Sequence, residues 1–187
     1  MNLKQQLIAD CRKGDRKAQF QLYRNCFNRL MGICMRYKKD EEEAAASLNM
    51  GFLKILNNLD KYRPEVPFEA WISRIMINNL IDEFRKDRKV RELIEYKDFS
   101  QEDPSTDSLD FNLADQRFDA EQLEAMIRRL PPVSQKVFNL FAIDGYSHAE
   151  IANMLKMSVG TSKWHLSSAR KKIQDMINQA LNASKIS

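Results

Sequence analysis

The residues best suited to do chemistry lie on a segment near the end of the chain that has helical periodicity and begins at Ser158. A short apolar helix precedes it, with Ser147 and Glu150 as an amino-terminal cap, and Met157-Ser158 forms a tight break between the two. Polar side chains on the second segment can donate hydrogen bonds to base edges and phosphates; they are Thr161, Ser162, Lys163, His165 and Ser167. The pattern predicts a helix-turn-helix whose second helix enters the major groove of DNA.

Catalysis has little support elsewhere in the chain. The two histidines, His148 and His165, are far apart in sequence, and no glycine-rich phosphate loop is present. The three cysteines, Cys11, Cys26 and Cys34, include no C-x-x-C pair, which argues against a disulfide framework and a zinc site. We therefore expect a protein that is not an enzyme and that uses no cofactor, no metal ion and no small-molecule substrate.

The composition predicts an all-α fold. Five glycines and five prolines are few for 187 residues, 43% of which are hydrophobic, and the abundant Leu, Ile, Met, Ala, Lys, Glu and Arg favour helices. The amino-terminal segment lacks the apolar core of a signal peptide, and no window approaches the roughly 18 apolar residues of a membrane span. The prediction is a cytoplasmic protein without direct membrane insertion.

Charge divides the chain into three parts. Residues 1–97 hold 20 basic and 14 acidic residues, residues 98–118 hold 1 and 6, and residues 119–187 hold 9 and 6. The middle part is rich in Asp, Ser and Pro and has no helical period, as expected of an acidic flexible linker. Two small helical modules, 1–97 and 119–187, are predicted on either side of it, and the second contains the helix-turn-helix.

Three helices are predicted in the first module. The first runs from about Lys17 to Lys38, and its buried face is expected to contain Phe20, Phe27, Leu30, Met31, Cys34 and Tyr37. The second starts at Asp40, whose side chain caps it in a pattern that Glu43 completes. Two prolines break the helical pattern between Tyr62 and Phe68. The third helix then runs to about Lys89 and ends in the basic cluster FRKDRKVR.

The second module is predicted to start near Asp119 with a helix that stops at Pro131-Pro132. The next helix carries Val137, Phe138, Leu140 and Phe141. Asp144-Gly145 ends it, because glycine tolerates a positive φ. These two helices supply the support on which the helix-turn-helix can pack.

Two stretches resemble one family. LPPVSQKVFNLFAIDGYSHAEIANMLKMSVGTSKWHLSSARKKI resembles the carboxy-terminal promoter-binding module of extracytoplasmic-function (ECF) sigma factors, and FEAWISRIMINNLIDEFRKDRK resembles the core of their amino-terminal module. Their order, the acidic linker and the length also match that group. The resemblance implies a sigma factor that binds core RNA polymerase and promoter DNA and directs promoter-specific transcription initiation, with an anti-sigma factor as a further partner.

The resemblance also implies roles for residues of the first module. The helix after Asp40 corresponds to the surface that binds the polymerase clamp, which makes candidates of Asn49, Phe52, Leu53 and Leu56. This chain departs from the family there, with Ala46-Ser47-Leu48-Asn49 in place of the common Asp-Leu-x-Gln. The proline-containing loop and the third helix correspond to the parts that recognise and melt the minus-ten element. Their candidates for base stacking and backbone contact are Tyr62, Arg63, Trp71, Asn78, Asn79, Arg85, Lys86 and Arg88.

In the second module, the resemblance places the minus-thirty-five contacts on the helix that starts at Ser158. The candidate residues there are Gly160, Thr161, Ser162, Lys163, Trp164, His165, Ser167 and Arg170.

Two other classes of protein fit parts of the sequence. A conventional helix-turn-helix regulator would share the second module, use residues 1–97 for dimerisation or signal binding, and bind a duplex operator without polymerase. A helical scaffold that binds only proteins would show no salt-dependent binding to nucleic acid, because its basic clusters would have no phosphate partner.

Lys163 is the strongest single candidate for base reading, and it yields a direct test. If its ammonium group reads a guanine edge, Lys163→Ala should weaken binding by about 1–3 kcal/mol at one base position. Affinities measured over a panel of single-base variants and several salt concentrations would decide this. An equal loss on every sequence, with the salt slope reduced by about one, would instead show a phosphate contact.

Overall fold

The computed structural model describes residues 3–86 and 119–183. The predicted linker 98–118, the predicted helix end at Lys89 and the candidate Arg88 lie outside these residues. The chain divides into two compact units, Met1–Phe84 and Arg85–Ser187, and the last two residues of the helix that ends at Lys86 are described below with the first unit, to which the rest of that helix belongs. All regular elements of the described residues are helical, which confirms the all-α prediction.

The first unit contains a helix that the sequence analysis missed. This helix, α1, spans Leu3–Arg12 and is followed by α2 (Arg16–Tyr37), α3 (Glu41–Asn57), a 3₁₀ turn (Leu59–Lys61) and α4 (Phe68–Lys86). The Asp15 carboxylate caps α2 by accepting from the amides of Lys17 and Ala18, at 2.8 and 3.2 Å. Asp40 caps α3 as predicted and accepts from the Glu43 amide at 2.9 Å.

The predicted buried face of α2 was wrong in two places. Phe20 is 63% exposed and Phe27 is 37% exposed. The face that packs inside the unit instead contains Ala18, Leu22, Cys26, Leu30, Ile33, Cys34 and Tyr37. Both faces of α2 carry apolar residues, and the packing of α1 and α3 against the helix decides which face is covered.

The second unit contains α5 (Ala120–Arg128), α6 (Pro132–Phe138) with a π-helical extension (Asn139–Ile143), α7 (His148–Leu155) and α8 (Val159–Ala183). Asp119 caps α5 in a capping box with Gln122, at the predicted start of this module. Gly145 has a φ of +76° just after the π-helical turn, as predicted for a chain reversal there. The core is aliphatic and is formed mainly by Val137, Leu140, Ile151, Leu155, Leu166, Ala169, Ile173 and Ile177.

A partly buried carboxylate holds the first unit together. Glu83 on α4 accepts from the Ser47 hydroxyl of α3 at 2.6 Å and from the Asn79 amide group at 2.7 Å, and it pairs with the Lys38 ammonium group at 2.7 Å. Burial by itself raises the pKa of Glu83, but the Lys38 pair and the hydrogen bonds from Ser47 and Asn79 outweigh it, so the pKa lies below its ordinary value. The folded state therefore favours the ionised carboxylate.

The side chain of Met76 on α4 packs onto α3 beside this network. Gly51 of α3 is buried against Met76 of α4, and a Cβ atom at this position would lie 2.5 Å from the Met76 sulfur. A side chain at this position would force the flexible end of Met76 to move.

The three cysteines are all buried, and none of them forms a disulfide in the part of the chain that the structure describes. Burial, followed by the charge of Glu83, raises the pKa of Cys34 to about 12, and burial with Asp10 and Asp15 raises that of Cys11 to about 11. Thiols with such pKa values are poor nucleophiles at neutral pH. This environment fits the interpretation of the cysteines as packed, reduced residues.

Glu83→Gln is expected to destabilise the protein by about 1–3 kcal/mol at neutral pH, because it removes a charged acceptor of three contacts. Since the folded-state pKa of Glu83 is depressed, the contribution is present above the ordinary glutamate pKa of about 4.3 and is lost as the pH falls below it. Urea unfolding from pH 3 to 8 would measure both effects. Glu65→Gln, at an exposed loop position, is the control, and equal stability of the two variants at pH 7 would contradict the prediction.

Candidate nucleic-acid interface

The helix-turn-helix of the second unit is fixed by caps on both of its helices. Ser147 and Glu150 form the predicted capping box at the start of α7. The Ser158 hydroxyl then caps α8 by accepting from the Thr161 amide at 3.0 Å. Between the two helices, Lys156 adopts left-handed backbone angles, φ 57° and ψ 47°. This geometry leaves a three-residue turn, Lys156 to Ser158, between α7 and the recognition helix α8.

The predicted minus-thirty-five residues differ in exposure. Lys163 is exposed, whereas Thr161 and Ser162 are buried, at 4% and 0% exposure. The remaining candidates are half-buried, namely Gly160, Trp164, His165, Ser167 and Arg170. Val159, which the sequence analysis did not select, is 43% exposed at the start of the same helix.

The buried hydroxyl groups form hydrogen bonds inside the unit. The Ser162 hydroxyl lies 2.9 Å from Nδ1 of His148, and the Thr161 hydroxyl lies 2.9 Å from that of Ser158. Thr161 and Ser162 therefore orient the recognition helix and do not present their side chains to solvent, which corrects their interpretation as outward-facing candidates. Successive residues of a helix point in different directions around its axis, so Lys163 is exposed although the two residues before it are buried.

A second hydrogen bond joins α8 to α6. Nδ1 of His165 lies 2.9 Å from the hydroxyl of Ser134, which is 2% exposed. The indole ring of Trp164 contacts the His165 ring edge to face, with ring centroids 5.0 Å apart. Both aromatic residues at this part of the interface thus have fixed orientations.

His148 has a structural role that the sequence did not reveal. Its ring stacks on Phe141 with centroids 4.5 Å apart, and the Arg170 guanidinium lies 5.9 Å from the Phe141 ring centre. Burial lowers the pKa of His148, and the positive charges of Lys163 and Arg170 lower it further. The ring is therefore neutral at pH 7, which keeps its hydrogen bond with Ser162 between uncharged groups.

In the first unit, aromatic rings shape the loop before α4. The Tyr62 ring lies edge to face with Phe68 at 5.0 Å and contacts Trp71 at 5.2 Å. The Tyr62 hydroxyl donates to the carbonyl oxygen of Val66 at 3.0 Å, which closes the loop on itself. The exposed Arg63 lies within this loop.

Trp71 lines a cavity of about 250 Å³ on the surface of this unit. The other lining residues come from the end of α3, the 3₁₀ turn and α4, and are Lys54, Asn58, Lys61, Ile75, Asn78 and Asn79. The cavity combines a half-buried indole ring with two lysines and the exposed amide of Asn78. Lys54 and Lys61 were not among the predicted residues, and their only sequence signal was a positive charge near the loop.

Asn79 is oriented differently from its neighbour. It is 3% exposed, and its side-chain nitrogen donates to Glu83 at 2.7 Å and lies 3.5 Å from the Ser47 carbonyl oxygen. Asn79, a candidate for contact with the minus-ten element, is therefore directed into the unit, which corrects its selection as a contact residue. At the end of α4, Lys86 is exposed and Arg85 is half-buried.

Three of the candidate polymerase-binding residues lie on the outer side of α3, whereas the fourth, Phe52, is buried, so its interpretation as a direct contact is corrected. Leu53 is 51% exposed and Leu56 is half-buried, while Phe52 is 7% exposed and packs edge to face on Tyr23 at 5.0 Å. The side-chain oxygen of Asn49 accepts from the Tyr23 hydroxyl at 3.0 Å. Met50, which the sequence analysis did not select, is 55% exposed beside them.

A helix-turn-helix with a basic outer helix, joined in one chain to a helical unit with a basic, indole-lined cavity, defines a protein that binds nucleic acid. Residues 22–90 match the family described as Sigma-70 region 2, and residues 120–173 match Sigma-70, region 4. The chain belongs to the sigma-70 family of RNA polymerase sigma factors, in its ECF group. Sigma factors are DNA-binding transcription factors.

Curated relatives support the same assignment. The chain is 25% identical over 160 residues to the ECF RNA polymerase sigma factor SigE of Mycolicibacterium smegmatis, an alignment that covers 84% of this chain and 60% of that protein. It is 24% identical over 185 residues to the RNA polymerase sigma-H factor of Pseudomonas aeruginosa, with 95% of both chains covered.

Among solved structures, the chain is similar to the sigma factor RpoE from Bartonella quintana, determined in complex with the anti-sigma factor NepR. The TM-score is 0.51 at 17% identity, with 84% of this chain and 95% of that chain covered. This likeness concerns the fold. In the part of the chain that the structure describes, no helix combines the length and apolar character needed to cross a membrane.

The left-handed turn residue gives a stability prediction for the second unit. Lys156→Gly is expected to raise the free energy of unfolding by about 1 kcal/mol, because a side chain in this conformation is strained and glycine is not. Thermal or urea unfolding would measure the gain. Lys156→Ala removes the same charge but keeps a Cβ atom, so it should give no gain, and a similar stabilisation by both variants would attribute the effect to charge.

Proposed function

We propose that this protein binds core RNA polymerase and directs it to promoters by two separate contacts with DNA. The second unit reads the minus-thirty-five element as duplex, and the first unit captures the melted minus-ten element. The observation that carries the proposal is the presence, in one chain, of an exposed basic recognition face on α8 and of the Trp71 cavity in the first unit. Polymerase supplies the catalytic site.

Duplex reading rests on the side chains that α8 leaves available. Val159 and Lys163 are exposed at positions i and i+4, which lie on one helical face. Lysine can bind the acceptor groups of guanine, and an apolar side chain can contact the thymine methyl group. Trp164 and His165 adjoin this face in fixed orientations. These residues form a compact surface of the size that enters a major groove.

Strand capture rests on the cavity beside the loop. An indole ring offers a stacking surface to an unpaired base, a contact worth about 1–3 kcal/mol. Lys54 and Lys61 supply positive charge for the displaced backbone, and the exposed Asn78 supplies both a donor and an acceptor for a base edge. Arg63, Arg85 and Lys86 extend the positive charge along the loop and the end of α4.

Polymerase binding is assigned to the outer side of α3. Leu53 and Met50 expose apolar surface that a partner would bury, and Asn49 and Leu56 lie beside them. Phe52 is buried beneath this face and packs against Tyr23 of α2. The free protein is expected to bind promoters poorly, because both DNA-binding units act within the polymerase complex.

An anti-sigma factor is proposed as the regulatory partner. The RpoE structure from Bartonella quintana is a complex with such a factor, NepR. A protein that covers either polymerase- or DNA-binding face would inhibit initiation. We also propose a cytoplasmic location, where polymerase and promoter DNA are found.

The first test is binding to bacterial core RNA polymerase that lacks any sigma subunit. The purified protein should co-elute with the core enzyme and compete with a primary sigma factor for it. Leu53→Asp should reduce the affinity by at least about tenfold, because it places a charge where an apolar contact is buried. Val66→Asp is the matched control, since Val66 is similarly exposed, at 45%, but lies in the loop assigned to DNA.

Failure of the wild-type protein to bind active, species-matched core enzyme would refute the initiation-factor proposal. Binding to a duplex operator without polymerase would then favour a conventional helix-turn-helix regulator. An equal loss of affinity in both aspartate variants would refute the assignment of the polymerase contact to α3.

A further inference from the structure

The loop between the 3₁₀ turn and α4 has few internal hydrogen bonds to fix its shape. Pro64 and Pro67 have no amide proton to donate. The loop retains a bond from the Val66 amide to the Arg63 carbonyl oxygen at 3.2 Å and the bond from the Tyr62 hydroxyl to Val66. A loop of this kind needs an additional restraint if its side chains are to hold one geometry.

Arg12, at the end of α1, provides such a restraint. Its Nε and Nη2 atoms donate to the carbonyl oxygen of Leu59 at 3.1 and 2.8 Å, and Nη2 also donates to the carbonyl oxygen of Tyr62 at 3.2 Å. The Asp60 carboxylate lies 3.8 Å from Nε. One guanidinium group thus joins α1 to both ends of the segment from Leu59 to Tyr62, a separation of about 50 residues in sequence.

The clamped segment carries two groups that belong to the proposed strand-capture site. Lys61 lines the Trp71 cavity, and the Tyr62 ring packs against Trp71 at 5.2 Å. The planar guanidinium can bond two carbonyl oxygens in a fixed relation, which the single ammonium group of lysine cannot reproduce. The direction in which the chain leaves the 3₁₀ turn, and hence the position of both side chains, follows from this contact.

We propose that Arg12 is a positioning residue for recognition of the minus-ten strand, because it holds the Leu59–Tyr62 segment in the geometry that completes the cavity. The inference rests on the proposed function and extends it to a residue on α1. Arg12 precedes residue 22, where the match to Sigma-70 region 2 begins. The residue acts through Lys61 and Tyr62 and makes no base contact of its own.

The test uses the full chain bound to core polymerase. The probes are the single strand and the duplex that bind the wild-type complex most tightly, each selected from a randomised DNA pool. Arg12→Gln should weaken binding of the single strand by about tenfold, as expected for loss of charge-assisted hydrogen bonds, and leave duplex affinity and polymerase affinity unchanged. Arg12→Lys should bind the single strand more tightly than Arg12→Gln but less tightly than the wild-type protein.

Lys13→Gln is the matched control. Lys13 is the next residue, carries the same charge, is 75% exposed, and pairs with Asp10 at 3.7 Å. Its loss should leave single-strand binding unchanged, which separates positioning from a general loss of positive charge. Hydrogen exchange in the free protein provides an independent readout, because the amides of Tyr62 and Val66 should exchange faster in Arg12→Gln than in Lys13→Gln.

Three outcomes would overturn the inference. Arg12→Gln could bind the single strand as tightly as the wild-type protein does, or it could lose equal affinity for the single strand and the duplex. Arg12→Lys could bind the single strand as tightly as the wild-type protein does. If the wild-type complex selects no single strand, strand capture itself fails. Hydrogen exchange then still decides whether Arg12 holds the loop, and unchanged exchange in Arg12→Gln would refute that contact.

Discussion

The first unit depends on one carboxylate that three helical segments share. Glu83 on α4 binds Ser47 of α3 and Lys38 at the end of α2, and it also binds Asn79 one turn earlier on its own helix. A carboxylate can satisfy several donors at once, and burial makes each of these bonds stronger than it would be in water. The relative position of α3 and α4 is thereby fixed. Both the outer face of α3 and the cavity beside Trp71 depend on that position.

In the second unit, hydrogen bonds between serine hydroxyl groups and histidine rings attach the helices to one another. Ser162 binds His148, and Ser134 binds His165, so that α8 is attached to α7 and to α6 by hydrogen bonds in addition to its apolar face. The low pKa of His148 keeps the first pair neutral. The positive charges of Lys163, Lys171 and Lys172 are exposed on the outer side of α8, where phosphate groups could bind them.

In both units the residues proposed to bind partners are distinct from those that orient them. Asn79, Thr161, Ser162 and Phe52 are buried and hold helices in place, while their neighbours Asn78, Lys163 and Leu53 are exposed. A recognition surface needs this support, because a side chain that is free to rotate loses entropy when it binds. The segment before α4 is held in a similar way, because the Arg12 guanidinium group of α1 binds its carbonyl oxygens.

Local patterns in the sequence were sufficient for the helical class, the caps at Asp40, Ser147 and Ser158, the helix-ending turn at Gly145, and the position of the helix-turn-helix. These features depend on interactions over one or two turns of chain, which spacing alone can reveal. Tertiary structure decided which apolar face of α2 is covered and which of Asn78 and Asn79 points inward. It also decided the contact of Arg12 on α1 with the segment before α4. Each of these depends on partners in other helices, up to 50 residues away, and periodicity within one helix carries no information about what packs against it.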